Sequence, residues 1–363
     1  MANWPARIVV WLCAVFLAAL PLATDASNRE PAEDADNTPR IVAVGDLHGD
    51  YQAWRTIAGA AKLVDAEGRW VGGKTILVQM GDITDRGPDS LKIIRHLQQL
   101  ESEALKSGGQ VVVLLGNHEA MNVIGDLRYV DPGEYAAFED RKSKDRREAT
   151  WRANRELLEA AYAALDPPVG AKEAKAHWFA QTPLGKLEHR RAWAPGGELA
   201  NWASERLAVA KIGDTLFVHG GLSAERSKEP LGALNSRIAQ ALLPGEAVDR
   251  AVLEDPLGPL WYRGNIVRAA ADEGRIPQSE ELAQVLANYG ATRLVVAHTP
   301  SLEGIVTAEQ GRLIRVDTGI SAYYGGPLSY LELRDGEAIA HQRDPEGTWQ
   351  ARPLPQPELE KIQ

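Results

Sequence analysis

The chain has 363 residues, 44% hydrophobic and 25% charged, with a formal net charge of −10. This is enough apolar material for one large core or two modest ones, and it is not the composition of a disordered chain. The acidic balance excludes a protein that grips nucleic acid over a broad basic surface.

Residues 1–26 read as a secretory signal peptide. Arg7 precedes an apolar run from Ile8 to Leu20, and Thr24-Asp25-Ala26 forms a small-x-small site that sets cleavage after Ala26. The run is shorter than the ~20 residues that a bilayer span needs; the alternative is an uncleaved anchor. Cleavage predicts a protein secreted across the inner membrane into the periplasm, with no membrane attachment. Cys13 is the only cysteine, so a cleaved chain needs no disulfide and any metal site must use nitrogen and oxygen donors. Residues 27–39 are polar and contain proline, which reads as a disordered lead-in.

From Arg40 short apolar strands alternate with helical patterns. The runs IVAVG, TILVQMG and QVVVLLG each end in a glycine followed by a polar cluster. In DSLKIIRHLQQL, Leu91, Ile94, Leu97 and Leu100 recur every three residues behind Asp89 or Ser90 as N-cap. The alternation predicts an α/β fold with parallel pairing. The stretch 126–201 is charged and helical with no strand pattern, and predicts an inserted helical cap. Its basic cluster from Arg141 to Arg155 reads as a solvated helix face. Short strands then return, with IGD and RDGEA turns that predict hairpins and a more antiparallel C-terminal part. Residues 353–363 are expected to be a loose tail.

Five apolar runs end in chemistry-bearing residues: Asp46 and His48 in GDLHGD, Asp82, Asp85 and Arg86 in GDITDRG, Asn117 and His118 in GNHE, His219 in VHGG, and His298 in VAHTP. Ligand sites of open α/β sheets gather at the carboxyl ends of strands. A single histidine at such an end is an ordinary core residue, but five convergent ends fit a pair of divalent cations. Asp46 and His48, two apart on an extended segment, can grip one ion, and Asn117, His219 and His298 a second. Asp82 can bridge both, which holds two ions about 3.5–4 Å apart in two-metal hydrolases. Imidazole plus oxygen suits Mn, Fe or Zn. Glycines 45, 81 and 116 let the backbone turn sharply. His118 can hand a proton to a leaving oxygen, with Asp85 orienting it. Arg86 matches phosphate oxygens, and Arg263 in GPLWYRG is a second candidate.

The ordered blocks GDLHGD, GDITDRG, GNHE, HGG and AHTP, spread over residues 45–300, resemble the metallophosphoesterase signature of the phosphoprotein phosphatases. GNHEAMNVIGDLRYV is most similar to the bacterial-like branch called Shewanella-like phosphatases. The resemblance implies a catalytic domain over residues 40–352, built as a central β-sandwich of mixed sheets flanked by helices. It implies two divalent metal ions, one on Asp46, His48 and Asp82, the other on Asp82, Asn117, His219 and His298. It also implies a proton-donating pair, His118 and Asp85, and a phosphate clamp, Arg86 and Arg263. The reaction implied is hydrolysis of phosphate esters by direct attack of a metal-bound hydroxide. Substrates would be a phosphorylated protein, peptide or small phosphoester, with the tyrosine-phosphate preference of several members. The animal serine/threonine enzymes carry SAPNYC where this chain reads DTGISAYYGG. Tyr323 and Tyr324 there read first as packed strand-end aromatics, with one of them lining the pocket as the alternative. His96, His177, His189 and His341 fall in no motif and read as surface or structural. The other readings are hydrolysis of a phosphoanhydride, such as a dinucleoside polyphosphate, and a non-catalytic module stapled by metals.

Overall fold

The computed structural model describes residues 39–245, 248–268 and 273–357; the expected signal peptide and nearly all of the expected lead-in lie outside the described residues. Two mixed sheets form the centre. The first has the order β11-β10-β9-β1-β2-β3, with β1 (Ile41–Val44), β2 (Ile76–Gln79), β3 (Gln110–Val113), β9 (Ser329–Arg334), β10 (Glu337–Arg343) and β11 (Trp349–Pro353). The second has the order β4-β5-β6-β8-β7, with β4 (Val209–Ile212), β5 (Thr215–Val218), β6 (Arg293–Val296), β7 (Val306–Ala308) and β8 (Leu313–Arg315). β1, β2 and β3 run parallel, as do β5, β6 and β8. The C-terminal part is the more antiparallel, as its turns predict: β4–β5 and β9–β10 form the two hairpins, and β4, β7 and the β9–β11 meander run against their neighbours, while β5, β6 and β8 are parallel.

Strand periodicity explains the layering. Ile41 and Ala43 face the second sheet and meet Val78, Phe217, Val295 and Ile314 in one buried cluster. Val42 and Val44, on the other face, belong to a second core with helix residues such as Trp54, Ile57, Ile93, Ile94 and Leu97. These come from α1 (Tyr51–Ala60) and α2 (Ser90–Lys106). Each such side chain, fully buried, contributes roughly 1.5–3 kcal/mol. Asp50 caps α1 by accepting the Ala53 N–H at 2.9 Å. On the second sheet, α9 (Leu231–Leu242) and α10 (Gln278–Tyr289) supply Leu234, Ile238, Leu282 and Val285 to the same core. No helix among the described residues is long and apolar enough to cross a membrane.

The helical stretch holds α4 (Pro132–Ala136), α5 (Ser143–Ala163), α6 (Ala171–Gln181), α7 (Lys186–Trp193) and the start of α8 (Glu198–Ser204). It has two characters. α5 and α6 make a hairpin with a small core of its own around Trp151, Tyr162 and Ala174. α4 and α7 instead bury Glu134, His189 and Trp193 against the catalytic layers. At the C-terminus only the first part of the expected loose tail can be placed; residues 358–363 lie outside the described residues. Residues 353–357 are not loose, because β11 pairs with β10 and Leu354 drops into the inter-sheet core, its N–H bonded to the Ala338 carbonyl.

Gly45 closes β1 against the second sheet. A Cβ there would stand 2.6 Å from the Val316 carbonyl oxygen and 3.0 Å from Asp317 Cα, both backbone. Gly59, inside α1, has nothing within 4 Å of its added Cβ. Gly45→Ala should cost about 1–3 kcal/mol in denaturant melts, whereas Gly59→Ala should add up to ~1 kcal/mol. Equal effects would show that the two sheets do not approach as closely as described.

Candidate active site

The carboxyl ends of β1, β2, β5 and β6, with the start of α3 (Asn117–Ile124) just after β3, converge on one hollow of about 340 Å³. Asp46, His48, Asp82, Arg86, Asn117, His118, Arg263 and His298 line it, and His219 is buried beside it. Six lining groups and His219 are almost fully inaccessible: Asp46, His48, Asp82, Asn117, His118 and His298.

The backbone is bent to bring them there. Among described residues, nine non-glycine residues have positive φ, and five of them are His48, Asp82, Asp85, Arg86 and His298. Such conformations cost of order 1–3 kcal/mol each and persist only when their surroundings over-determine them. His48 at φ 40° corrects the expectation of an extended Asp46–His48 segment. The chain turns at Leu47 and His48 because their N–H groups both donate to the Asp82 carbonyl. Gly81 takes φ 92°, with its N–H and carbonyl both clamped by the Gln79 side-chain amide. Gly45 and Gly116 do not have positive φ. They are needed for close approach: a Cβ on Gly116 would collide with Asp82.

Glu119 holds the second loop in place. Its carboxylate accepts N–H groups of Asp82, Ile83, Thr84 and Gly116 and the Thr84 hydroxyl, at 2.9–3.1 Å. Burial and the Asp82 charge push its pKa up, and these donors pull it back.

The imidazole orientations follow from their partners. A carbonyl can only accept, so His48 Nδ1 donates to Thr84 O at 3.0 Å and His219 Nδ1 donates to Met80 O at 2.9 Å. Both Nε2 atoms then face inward. His219 Nε2 lies 3.0 Å from Asn117 Oδ1 and 3.3 Å from Asp82 Oδ2. His48 Nε2 lies 3.9 Å from Asp82 Oδ2 and 4.0 Å from Asp46 Oδ2. His298 Nε2 is buried with no hydrogen-bond partner.

This donor set fits bound cations. Lone pairs of His219, Asn117 and Asp82 point at one another and need a positive charge between them. Two groups of donor atoms lie within 4.8 Å of each other and share Asp82: His48, Asp82 and His118, and Asp82, His219 and His298. Carboxylates crowd the same volume. Burial, Asp317 and Asp82 drive the Asp46 pKa well up, and burial raises Asp317 to about 6. Burial also works against ionised Asp82, but His219, His118 and His48 outweigh it and hold its pKa well below the usual range. Burial takes His48 down to about 3, so its ring is neutral and able to ligate.

His118 stands apart in role. Its Nδ1 donates to Asp85 Oδ2 at 2.5 Å, and Asn122 Nδ2 holds the other Asp85 oxygen at 2.9 Å. Burial opposes its protonation, but Asp82 and Asp85 prevail and raise its pKa. Its Nε2 faces the hollow, 3.4 Å from an Arg86 nitrogen. Arg86 is boxed by Tyr129, Tyr323 and Tyr324, with ring centroids 4.9–5.1 Å from the guanidinium, and it bonds the Tyr324 hydroxyl. Tyr324 therefore lines the site, 5.6 Å from His48, rather than packing at a strand end; Tyr323 is largely exposed. The Arg263 carbonyl accepts from the Ile266 and Val267 N–H groups, but its guanidinium forms no hydrogen bond or ion pair among described residues and is open to a ligand.

Several participants went unread in the sequence. Asp317 follows β8 in RLIRVDTG, the same run-then-Asp pattern as the motifs that were read. Tyr129 and Trp261 wall the hollow; both lie in stretches, GNHEAMNVIGDLRYV and GPLWYRG, that gave them no role of their own. Of the remaining histidines, His96 and His189 are buried; His96 accepts from Trp54 Nε1 at 2.9 Å, a structural role. His177 is exposed and His341 stacks on Tyr330.

The Arg263 loop is anchored from beneath by Glu281 of α10, which is fully buried. Its carboxylate accepts from Tyr262 Oη at 2.6 Å, Arg275 at 2.7 Å, Arg268 at 2.8 Å and the Ala224 N–H at 3.0 Å. Glu281→Gln should lower stability by about 2–4 kcal/mol and raise KM roughly tenfold with a smaller change in kcat. A stability loss with an unmoved KM would mean that this network does not position Arg263.

With the geometry in hand, comparisons with known proteins are informative. The family model described as calcineurin-like phosphoesterase matches residues 39–302. Shewanella-like protein phosphatase 2 of Arabidopsis thaliana is 30% identical over 309 residues, 83% of this chain and 76% of that protein. Shewanella-like protein phosphatase 1 of Plasmodium berghei is 28% identical, covering 82% of this chain and 72% of that protein. The crystal structure of a cold-active protein-tyrosine phosphatase from a psychrophilic Shewanella species superposes with a TM-score of 0.61 at 25% identity, over 86% of this chain and 80% of that one.

Proposed function

This chain belongs to the calcineurin-like phosphoesterase family and is a metal-dependent phosphatase, and from that premise we propose that it hydrolyses phosphomonoesters with a preference for phosphotyrosine. Two divalent cations would be held by Asp46, His48 and Asp82 on one side and by Asp82, Asn117, His219 and His298 on the other. When bound, they would supply an activated water nucleophile and charge neutralisation at the phosphoryl group.

The observation that carries this reading is the His118–Asp85 pair, 2.5 Å apart and set between the shared Asp82 and Arg86. Asp85 fixes the imidazole so that Nε2 faces the hollow, and Nε2 delivers a proton to the departing ester oxygen. Asp85 is itself held by Asn122 and by its own N–H, which donates to the buried Glu134. Arg86 and Arg263 bind the phosphoryl oxygens and stabilise charge that builds on them in the transition state. Tyr129, Trp261 and Tyr324 give the mouth aromatic walls that suit a planar leaving group. The likeness to a protein-tyrosine phosphatase supports the same preference.

His118→Asn should lower kcat on an alkyl phosphate by about 10²–10⁴, with a smaller loss on 4-nitrophenyl phosphate, whose leaving group needs less protonation. Equal losses on both would rule out His118 as leaving-group acid. On matched peptides, phosphotyrosine should exceed phosphoserine in kcat/KM by about tenfold or more; the reverse order would contradict the preference.

A further inference from the structure

A second hollow lies away from the metal-ligand cluster, between α10, the segment after Arg263 and the outer face of β7 and β8. Its volume is about 230 Å³. Alternation along β8 sends Ile314 into the inter-sheet core, so Leu313 and Arg315 face the other way, toward the helical layer.

One wall is apolar, formed by Ile266, Leu282 and Leu313. Arg315 lies next to this wall, two residues beyond Leu313 on the same face of β8. That side chain is partly buried, makes no hydrogen bond or ion pair among described residues, and has its Nε buried without a partner. Burial works against its charge, with Asp317 and Glu303 acting on it only through their fields. Val306, opposite Arg315 in the β7–β8 pair, shares its face, whereas Thr307, opposite Ile314, turns its side chain toward the inter-sheet core. The other polar groups are already used. Asn265 is bonded to both the N–H and the carbonyl of Leu222, and Gln278 Nε2 donates to Gly264 O. Glu309 is exposed on the rim and forms no ion pair with Arg315. The hollow thus combines an apolar surface with a guanidinium that forms no ion pair among the described residues.

We propose that this hollow binds a small organic anion, its acidic head on the Arg315 guanidinium, its apolar body on the Ile266–Leu282–Leu313 wall. The volume takes a ring-sized body with one carboxylate or phosphonate group. Such an occupant would press on the loop of the phosphate clamp, because Asn265 and Ile266 follow Arg263 by two and three positions and Gln278 holds the Gly264 carbonyl between them. That link to turnover rests on Arg263 binding phosphate; the binding itself does not.

Calorimetric titration of the metal-loaded enzyme with benzoate, phenylphosphonate and neutral benzamide tests the site. At least one anion should bind, the tighter one naming the head group. Arg315→Met should weaken that binding about tenfold, and Arg315→Lys, which keeps the charge, by less. Arg86→Ala, in the other hollow, should leave benzoate binding unchanged. Benzamide binding as tightly as benzoate, equal affinity in Arg315→Met, equal losses in the Met and Lys variants, or no anion binding at millimolar concentration would each overturn the proposal. Saturating benzoate should shift KM for 4-nitrophenyl phosphate in the wild type and not in Arg315→Met. An unmoved wild-type KM would remove the link to Arg263.

Discussion

Buried negative charge governs the rest of this structure. Asp46, Asp82, Glu119 and Asp317 lie within one buried region, each only 1–3% exposed. Isolated ions in such a place cost several kcal/mol apiece, so each needs a specific remedy. Glu119 has five hydrogen-bond donors. Asp82 has three imidazoles around it. Burial raises the pKa values of Asp46 and Asp317, and the neighbouring Asp82 charge adds to both. The remedies are incomplete, and the deficit is positive charge placed among inward-facing lone pairs. Divalent cations supply it, which is why the same residues serve both stability and chemistry.

The second consequence is conformational. Packing so many polar side chains at strand ends requires backbone shapes that L-residues avoid, and five site residues adopt them. Glu119 and Gln79 offset that strain from inside the fold, by tying the Asp82 loop to α3 and to its own strand. The site is thus positioned mainly by backbone hydrogen bonds to buried side chains and less by side-chain packing. Rigid strand ends hold the ligands, while the aromatic mouth and the Arg263 loop, which contact the substrate side, are set by longer-range contacts through Tyr129, Tyr324 and Glu281.

This division explains what could be read from the residues. Asp46, Asp82, Asn117, His219 and His298 were legible because each follows an apolar run, and strand-end position is a local property. The parallel pairing of β1 to β3 was legible for the same reason. Asp317 carried the same local mark and was overlooked because an Asp-Thr-Gly turn is an ordinary loop signal. Tyr324 was misplaced and Glu281 unseen because their roles depend on residues 238 and 19 positions away. The loop of His48 was drawn extended because the two hydrogen bonds that bend it come from Asp82, on a different strand end. The tail was drawn loose because Pro and Gln around Leu354 conceal one apolar residue that completes the inter-sheet core.

The central claim is that two cations share the Asp82 carboxylate. Crystals grown with manganese, measured for anomalous scattering, test it most directly. Two peaks about 3.5–4 Å apart, both within bonding distance of Asp82, are the expected result. A single peak, or two peaks of which only one touches Asp82, would contradict it.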